Sequence, residues 1–99
     1  ATRIEASRLL TYRAAQMVDD GKSGKETAHV LSMAKWFATE TAQQVATDAV
    51  QFLGANGYME DYPLERFYRD VKQLTIVEGT TQIQKGIIGR ALLDGHLYW

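Results

Sequence analysis

The chain has no cysteine and only one proline in 99 residues. Without thiols there is no disulfide and no thiolate metal site, and the composition fits a reducing compartment. With Pro63 as the lone proline, helices can run unbroken over most of the length. Neither sign of charge is in excess: 11 Lys and Arg against 12 Asp and Glu give a formal net charge of −1. Phosphate-binding domains are usually basic, so nucleic acid is not the expected partner. No apolar run is long enough to span a bilayer, and no signal-peptide pattern is visible. There is no block of like charges, no low-complexity tract and no internal repeat.

What remains is helical periodicity. A first helix is predicted from about Thr2 to Asp20, with Ile4, Leu10, Ala14 and Met17 near one face. Gly21-Lys22-Ser23-Gly24 stops it. A second helix is predicted from about Lys25 to Leu53, with Gly54 as its stop in a left-handed conformation. Leu31, Ala34, Ala38, Val45, Ala49 and Phe52 trace one apolar stripe. Val30, Met33, Phe37, Ala42, Ala46 and Val50 trace another. One neighbour cannot cover so wide a surface. This is therefore the expected central helix of a bundle, part of it meeting a partner domain or subunit.

Gly54-Ala55-Asn56-Gly57-Tyr58 reads as a turn-rich joint. Pro63 suits the first turn of a short helix reaching Gln73. Leu74 to Val77 reads as a short extended stretch. The last helix is expected to start between Gly79 and Gln82, with Thr81 and Gln84 spaced as a capping box. Ile83, Ile87, Ile88, Ala91 and Leu92 form its predicted buried stripe, and Gly95 ends it. The expected fold class is all-α, an up-and-down helical bundle. The chain starts at Ala1 directly in a helical pattern, as expected for a piece of a longer polypeptide. With so much apolar surface to hide, it should be marginal or oligomeric alone.

Four patches hold chemistry-bearing residues. Glu26-x-x-His29 has the spacing of carboxylate-bridged di-iron bundles. The second copy and the further glutamates of such a site are missing, which favours a plain helix N-terminal turn. Gly54-x-x-Gly57 follows a helix rather than a strand, so it is no dinucleotide fingerprint. Its N–H groups could still meet a phosphate. Glu65, Arg66, Arg69 and Asp70 have the four-residue spacing of surface ion pairs. Glu78 follows Ile76 and Val77 and precedes a glycine, two threonines and an amphipathic helix. A carboxylate so placed is either a favourable charge near a helix start or a catalytic base.

Five patches, in order, decide between these readings. They are Ala6-x-x-Leu9-Leu10-x-Tyr12-Arg13-Ala14-Ala15 and Ala34-Lys35-x-Phe37-Ala38. Ala49-Val50-Gln51-x-Leu53-Gly54-x-Asn56-Gly57-Tyr58 and Asp61-Tyr62-Pro63-x-Glu65-Arg66-x-Tyr68-Arg69-Asp70 follow. Glu78-Gly79-Thr80-Thr81-Gln82-Ile83-Gln84 is the last. Together they resemble the C-terminal helical domain of the acyl-CoA dehydrogenase family over essentially the whole chain. The resemblance implies residues 1–99 of such a domain, incomplete on its N-terminal side and lacking the first bundle helix.

That resemblance implies an FAD-dependent oxidation of an acyl-CoA thioester to its trans-2-enoyl product. Glu78 falls on the catalytic base that takes the α-proton while the β-hydrogen leaves as hydride to flavin N5. The Glu78 N–H would polarise the thioester carbonyl, and Ile76 and Val77 would help bury the carboxylate. Gly79 would line the substrate pocket. Thr80, Thr81 and Gln82 would contact FAD phosphates or adenosine. Gln51, Phe52, Leu53, Gly54 and Ala55 would touch the ADP half of FAD from a neighbouring subunit. A homotetramer is implied, with electron-transfer flavoprotein as acceptor and a bacterial or archaeal cytoplasm, or the mitochondrial matrix, as setting.

Three departures bear on these roles. Val77 stands where many members have tyrosine, and Ala55 where the turn often has a second glycine. Some members carry the base on the absent bundle helix. The rival class is a non-catalytic helical interaction module docking through the wide face of the second helix.

Overall fold

The computed structural model describes residues 1–96, and these are helical with no β-strand among them. Helix α1 spans Thr2–Asp19, α2 Lys25–Leu53, α3 Leu64–Gln73 and α4 Thr81–Leu93. A short 3-10 helix, Gly54–Tyr58, joins α2 to α3. The bounds of α2 are those expected. Helix α1 ends one residue early, with Asp20 as its cap, and Pro63 caps α3 from outside rather than opening it. The predicted domain runs to residue 99; its last three positions lie outside the described residues.

Helix α2 is the axis of the molecule. Its 29 residues extend about 44 Å at 1.5 Å per residue, nearly the full long dimension of 48 Å. Helices α1, α3 and α4 each pack on it, and among the described residues none packs on another. The core is small: Ala14 of α1 meets Val30 and Ala34 of α2, flanked by Leu10 and Met17. Three of the four residues predicted for the inner face of α1 are there, and Ile4 is not. Much of the wide apolar surface of α2 stays uncovered, including Leu31, Val45 and Phe52. This is the outcome expected of a central helix with too few neighbours.

Both α1 and α4 end in the same hydrogen-bonded wrap. Lys22 N–H donates to the Met17 carbonyl and Gly21 N–H to Val18; His96 N–H donates to Ala91 and Gly95 N–H to Leu92. Each is a Schellman ending that satisfies two otherwise free helix carbonyls. Helix α2 stops differently. Gly54 has the expected positive φ, 58°, but its ψ of −137° takes it out of the left-handed helical well and into backbone space that is essentially glycine's own.

Gly57 has another purpose. A Cβ placed on it would lie 2.5 Å from the Val50 carbonyl oxygen and 2.9 Å from Val50 Cα. The chain can fold back onto α2 only because no side chain intervenes.

The segment Leu74–Val77 is not extended. The N–H of Leu74 bonds to Val71, Thr75 to Lys72, and both Ile76 and Val77 to Gln73. Helix α3 unwinds into successive turns, so the carbonyls at its end are used instead of left free. Helix α4 meets α2 through only part of the predicted stripe: Ala91 and Ile88 are on the inner face, and Ile83, Ile87 and Leu92 are not. Thr81, Gln84 and Ala91 are buried and Ile88 half-buried, an i, i+3, i+7, i+10 stripe. On α3, Glu65 and Arg69 form the expected ion pair at 3.6 Å. Arg66 lies over the Phe67 ring, 5.9 Å from its centroid, and makes no ion pair with Asp70 among the described residues.

Candidate active site

The loop carrying Glu78 is closed at its base. Thr81 N–H donates to the Thr75 carbonyl at 3.0 Å, pinching residues 75–81 into a compact loop at the start of α4. Thr80, not Thr81, is the N-cap: its Oγ1 accepts from Ile83 N–H at 3.3 Å. The predicted capping box fails because Gln84 is committed elsewhere. Its side-chain amide donates to the carbonyls of Glu78 at 3.3 Å and Gly79 at 3.4 Å. Replacing Thr80 with alanine should cost about 1 kcal/mol, the usual worth of such a cap, read as a lower urea midpoint of the full-length protein.

Two consecutive residues of the loop have positive φ, Glu78 at 55° and Gly79 at 90°. For a glutamate this costs on the order of 1 kcal/mol and persists only when the surroundings impose it. The surroundings are visible. Lys35, from the middle of α2, donates Nζ to the Val77 carbonyl at 3.0 Å and to the Gly79 carbonyl at 2.6 Å. With the two Gln84 bonds, all three carbonyls from Val77 to Gly79 are held by side chains. The other side of the same peptides is open: the N–H groups of Glu78, Gly79 and Thr80 have no acceptor among the described residues.

The Glu78 side chain is exposed, as are Ile76 at 57 % and Val77 at 43 %. Within this chain the two apolar neighbours do not by themselves bury the carboxylate. Gly79 is half-buried, and a Cβ there would come within 2.6 Å of Gln84 Nε2. Glycine thus answers both the φ of 90° and the approach of Gln84.

Beside the loop lies a polar groove lined by Gln43, Thr80, Thr81, Gln82 and Lys85, with the Glu40 carboxylate also on its wall. Thr81 Oγ1 and Gln43 Oε1 are buried there with no hydrogen-bond partner. Buried polar atoms of this kind call for a partner from outside the chain. Lys85 contributes a cation, its Nζ 5.0 Å from the centroid of a Trp36 ring. Hydroxyl, amide and ammonium groups at a helix N-terminus suit the hydroxyls and phosphates of a dinucleotide such as FAD.

Gln51, Phe52, Leu53, Gly54 and Ala55 are not part of this groove. They sit at the far end of α2, all exposed, with Phe52 at 90 %. From Lys35 to Gln51 the helix advances roughly 24 Å. The structure therefore gathers Glu78, Gly79, Thr80, Thr81 and Gln82 and leaves the other five predicted cofactor contacts apart. His29 is buried with an unpartnered Nδ1. Among the described residues no three of His, Cys, Asp or Glu come together in a way that could hold a metal.

Sequence reasoning missed Lys35 and Gln84 as site residues. Lys35 carried a signal: it is the only Lys or Arg of α2 after Lys25, and it stands among apolar neighbours.

The family model for the acyl-CoA dehydrogenase C-terminal domain matches residues 1–93. The chain belongs to the acyl-CoA dehydrogenase family. It is 50 % identical over 93 residues to a cyclohexane-1-carbonyl-CoA dehydrogenase of Geobacter metallireducens, covering 94 % of this chain and 24 % of that protein. It is 43 % identical over 93 residues to the caffeyl-CoA reductase–Etf complex subunit CarC of Acetobacterium woodii, again 94 % of this chain and 24 % of that one. The solved butyryl-CoA dehydrogenase of Megasphaera elsdenii superposes with a TM-score of 0.87 at 41 % identity, covering 93 % of this chain and 23 % of that structure. The chain spans about a quarter of the length of the relatives it matches.

Proposed function

We propose that this chain is the C-terminal part of an FAD-dependent acyl-CoA dehydrogenase and that Glu78 is its catalytic base. The supporting observation is the Glu78 loop: a glutamate held at positive φ, its neighbouring carbonyls tied back and its own N–H open. The Glu78 carboxylate takes the α-proton of the acyl thioester. The Glu78 N–H donates to the thioester carbonyl, where negative charge develops as the proton leaves. A bound flavin would supply the two-electron acceptor for the β-hydride that must leave as Glu78 takes the α-proton and the α,β double bond forms. A carbon acid this weak needs a base removed from bulk water. Because Glu78 is exposed in this chain, that shielding must come from the substrate, the cofactor and the rest of the protein.

Thr80, Thr81 and Gln82 would hold the cofactor through the groove with the unpartnered Thr81 hydroxyl. Gly79 lets the acyl chain approach the backbone. Gln51 through Ala55 serve the cofactor of a neighbouring subunit, which their distance from Glu78 supports. This makes a homo-oligomer, a tetramer in our reading, necessary for catalysis, and the chain alone inactive. Electron-transfer flavoprotein is the proposed acceptor, supported by the Etf complex of the Acetobacterium relative. The bacterial sources of the matched relatives support a cytoplasmic setting.

The uncovered apolar face of α2 favours a second reading, a helical interaction module without chemistry. One measurement separates the two. The purified full-length protein should be yellow, and its flavin absorbance should bleach when a saturated acyl-CoA is added without oxygen. A colourless protein in a defined complex with another polypeptide would support the module and end the enzyme reading.

A further inference from the structure

We infer that Lys35 is a positioning residue that sets and strengthens the Glu78 N–H as a hydrogen-bond donor to the thioester. The inference rests on the dehydrogenase reading and concerns how its oxyanion donor is built. A trans peptide points its C=O and N–H in opposite directions. The Val77 carbonyl and the Glu78 N–H belong to one such unit. Lys35 Nζ grips that carbonyl at 3.0 Å, so the Glu78 N–H is aimed away from α2, toward the open side of the loop. The same ammonium holds the Gly79 carbonyl at 2.6 Å. The two grips straddle Glu78 and leave its φ little freedom.

The grip is also electrical. A cation bound to a carbonyl polarises its peptide, and the N–H across the unit becomes a stronger donor. Lys35 is suited to this because no carboxylate pairs with it among the described residues. Its charge is directed at backbone oxygens alone. Gln84 completes the cradle with a neutral donor on the Glu78 and Gly79 carbonyls. It does not touch the Val77–Glu78 peptide. Lys35 and Gln84 therefore share the holding of the loop, but only Lys35 polarises the donor.

The test uses the full-length flavoprotein and butyryl-CoA labelled with 13C at its thioester carbonyl. Spectra are taken in a Glu78→Gln background, which keeps the Glu78 N–H while holding the substrate unreacted. In the parent the bound carbonyl stretch should lie below its solution value. Lys35→Met should return it part of the way, Lys35→Arg should restore the parent shift, and Gln84→Leu should move it least. With Glu78 intact, Lys35→Met should slow α-proton exchange about tenfold to a hundredfold, the usual range for a group supporting a reacting one. Amide hydrogen exchange at Glu78, measured without ligand, should slow in Lys35→Met, because this N–H has no acceptor to shield it and loses the cation that makes it more acidic. An unchanged stretch and unchanged amide exchange in Lys35→Met would overturn the inference. If the parent protein holds no flavin, the dehydrogenase reading falls by itself. Amide exchange then still decides whether Lys35 positions Glu78.

Discussion

Replacing Glu78 with glutamine should lower the rate of flavin reduction by acyl-CoA by up to about four orders of magnitude, about 5.5 kcal/mol of barrier. Glutamine matches glutamate in size and keeps the same backbone. The φ of 55° and the four hydrogen bonds to the Val77, Glu78 and Gly79 carbonyls do not involve the carboxylate. Binding should survive, then, while proton abstraction fails. The variant should purify yellow and bind an unreactive acyl-CoA analogue with an affinity within a few-fold of the parent. Stopped-flow absorbance measures the reduction, and solvent deuterium incorporation at the α-carbon reports the proton step alone. Retained incorporation would remove Glu78 from the mechanism.

The second large effect is structural. Gly57→Ala should destabilise the protein by about 3 kcal/mol, at the upper end of what overpacking costs. A methyl at this position meets the Val50 carbonyl oxygen at 2.5 Å and the Val50 Cα at 2.9 Å. Both are main-chain atoms in the body of α2, so no flexible side chain can move aside. Relief requires lifting the 3-10 helix off α2, which also displaces the start of α3. Gly54→Ala is the control, since a Cβ there meets nothing within 4 Å; its cost comes only from its backbone angles. Chemical denaturation of the full-length protein compares the two. A midpoint for Gly57→Ala equal to the parent's would show that the close approach is not maintained in solution.

The helices were legible because their signals are long. Twenty-nine residues with no proline and a glycine at each end leave α2 little alternative. The Gly21–Gly24 break likewise separates α1 from α2 whatever the tertiary contacts. Short segments were not legible. Leu74–Val77 is apolar and rich in β-branched residues, which four residues can present equally as a strand or as the unwinding end of a helix. The unpaired carbonyls of α3 decided for the turn. The start of α4 falls within the expected range, but its cap was misread by one residue because two adjacent threonines can each cap. The choice fell to Thr80 once Gln84 was drawn to the Glu78 and Gly79 carbonyls.

The buried face of α4 was only partly legible for a related reason. Its isoleucines form the more apolar stripe, but the helix turns Thr81, Gln84 and Ala91 to α2 and keeps Ile83 and Ile87 outside. Hydrophobicity predicts which residues seek cover, not which neighbour supplies it. Of the candidate site, Glu78, Gly79 and the threonines were readable as a run. The cradle was not, because Lys35 and Gly79 lie 44 positions apart and only packing brings them together.

Helix α2 touches the Glu78 loop near its middle and carries the Gln51–Ala55 segment at its tip. It is a ruler as much as a scaffold. A single residue inserted between Lys35 and Gln51 would turn one end by about 100° and push it 1.5 Å further along the axis. Neither end would lose its own chemistry, yet they would no longer be in register. The spacing along this rod is therefore as much a part of the protein's specification as the identity of any one side chain on it.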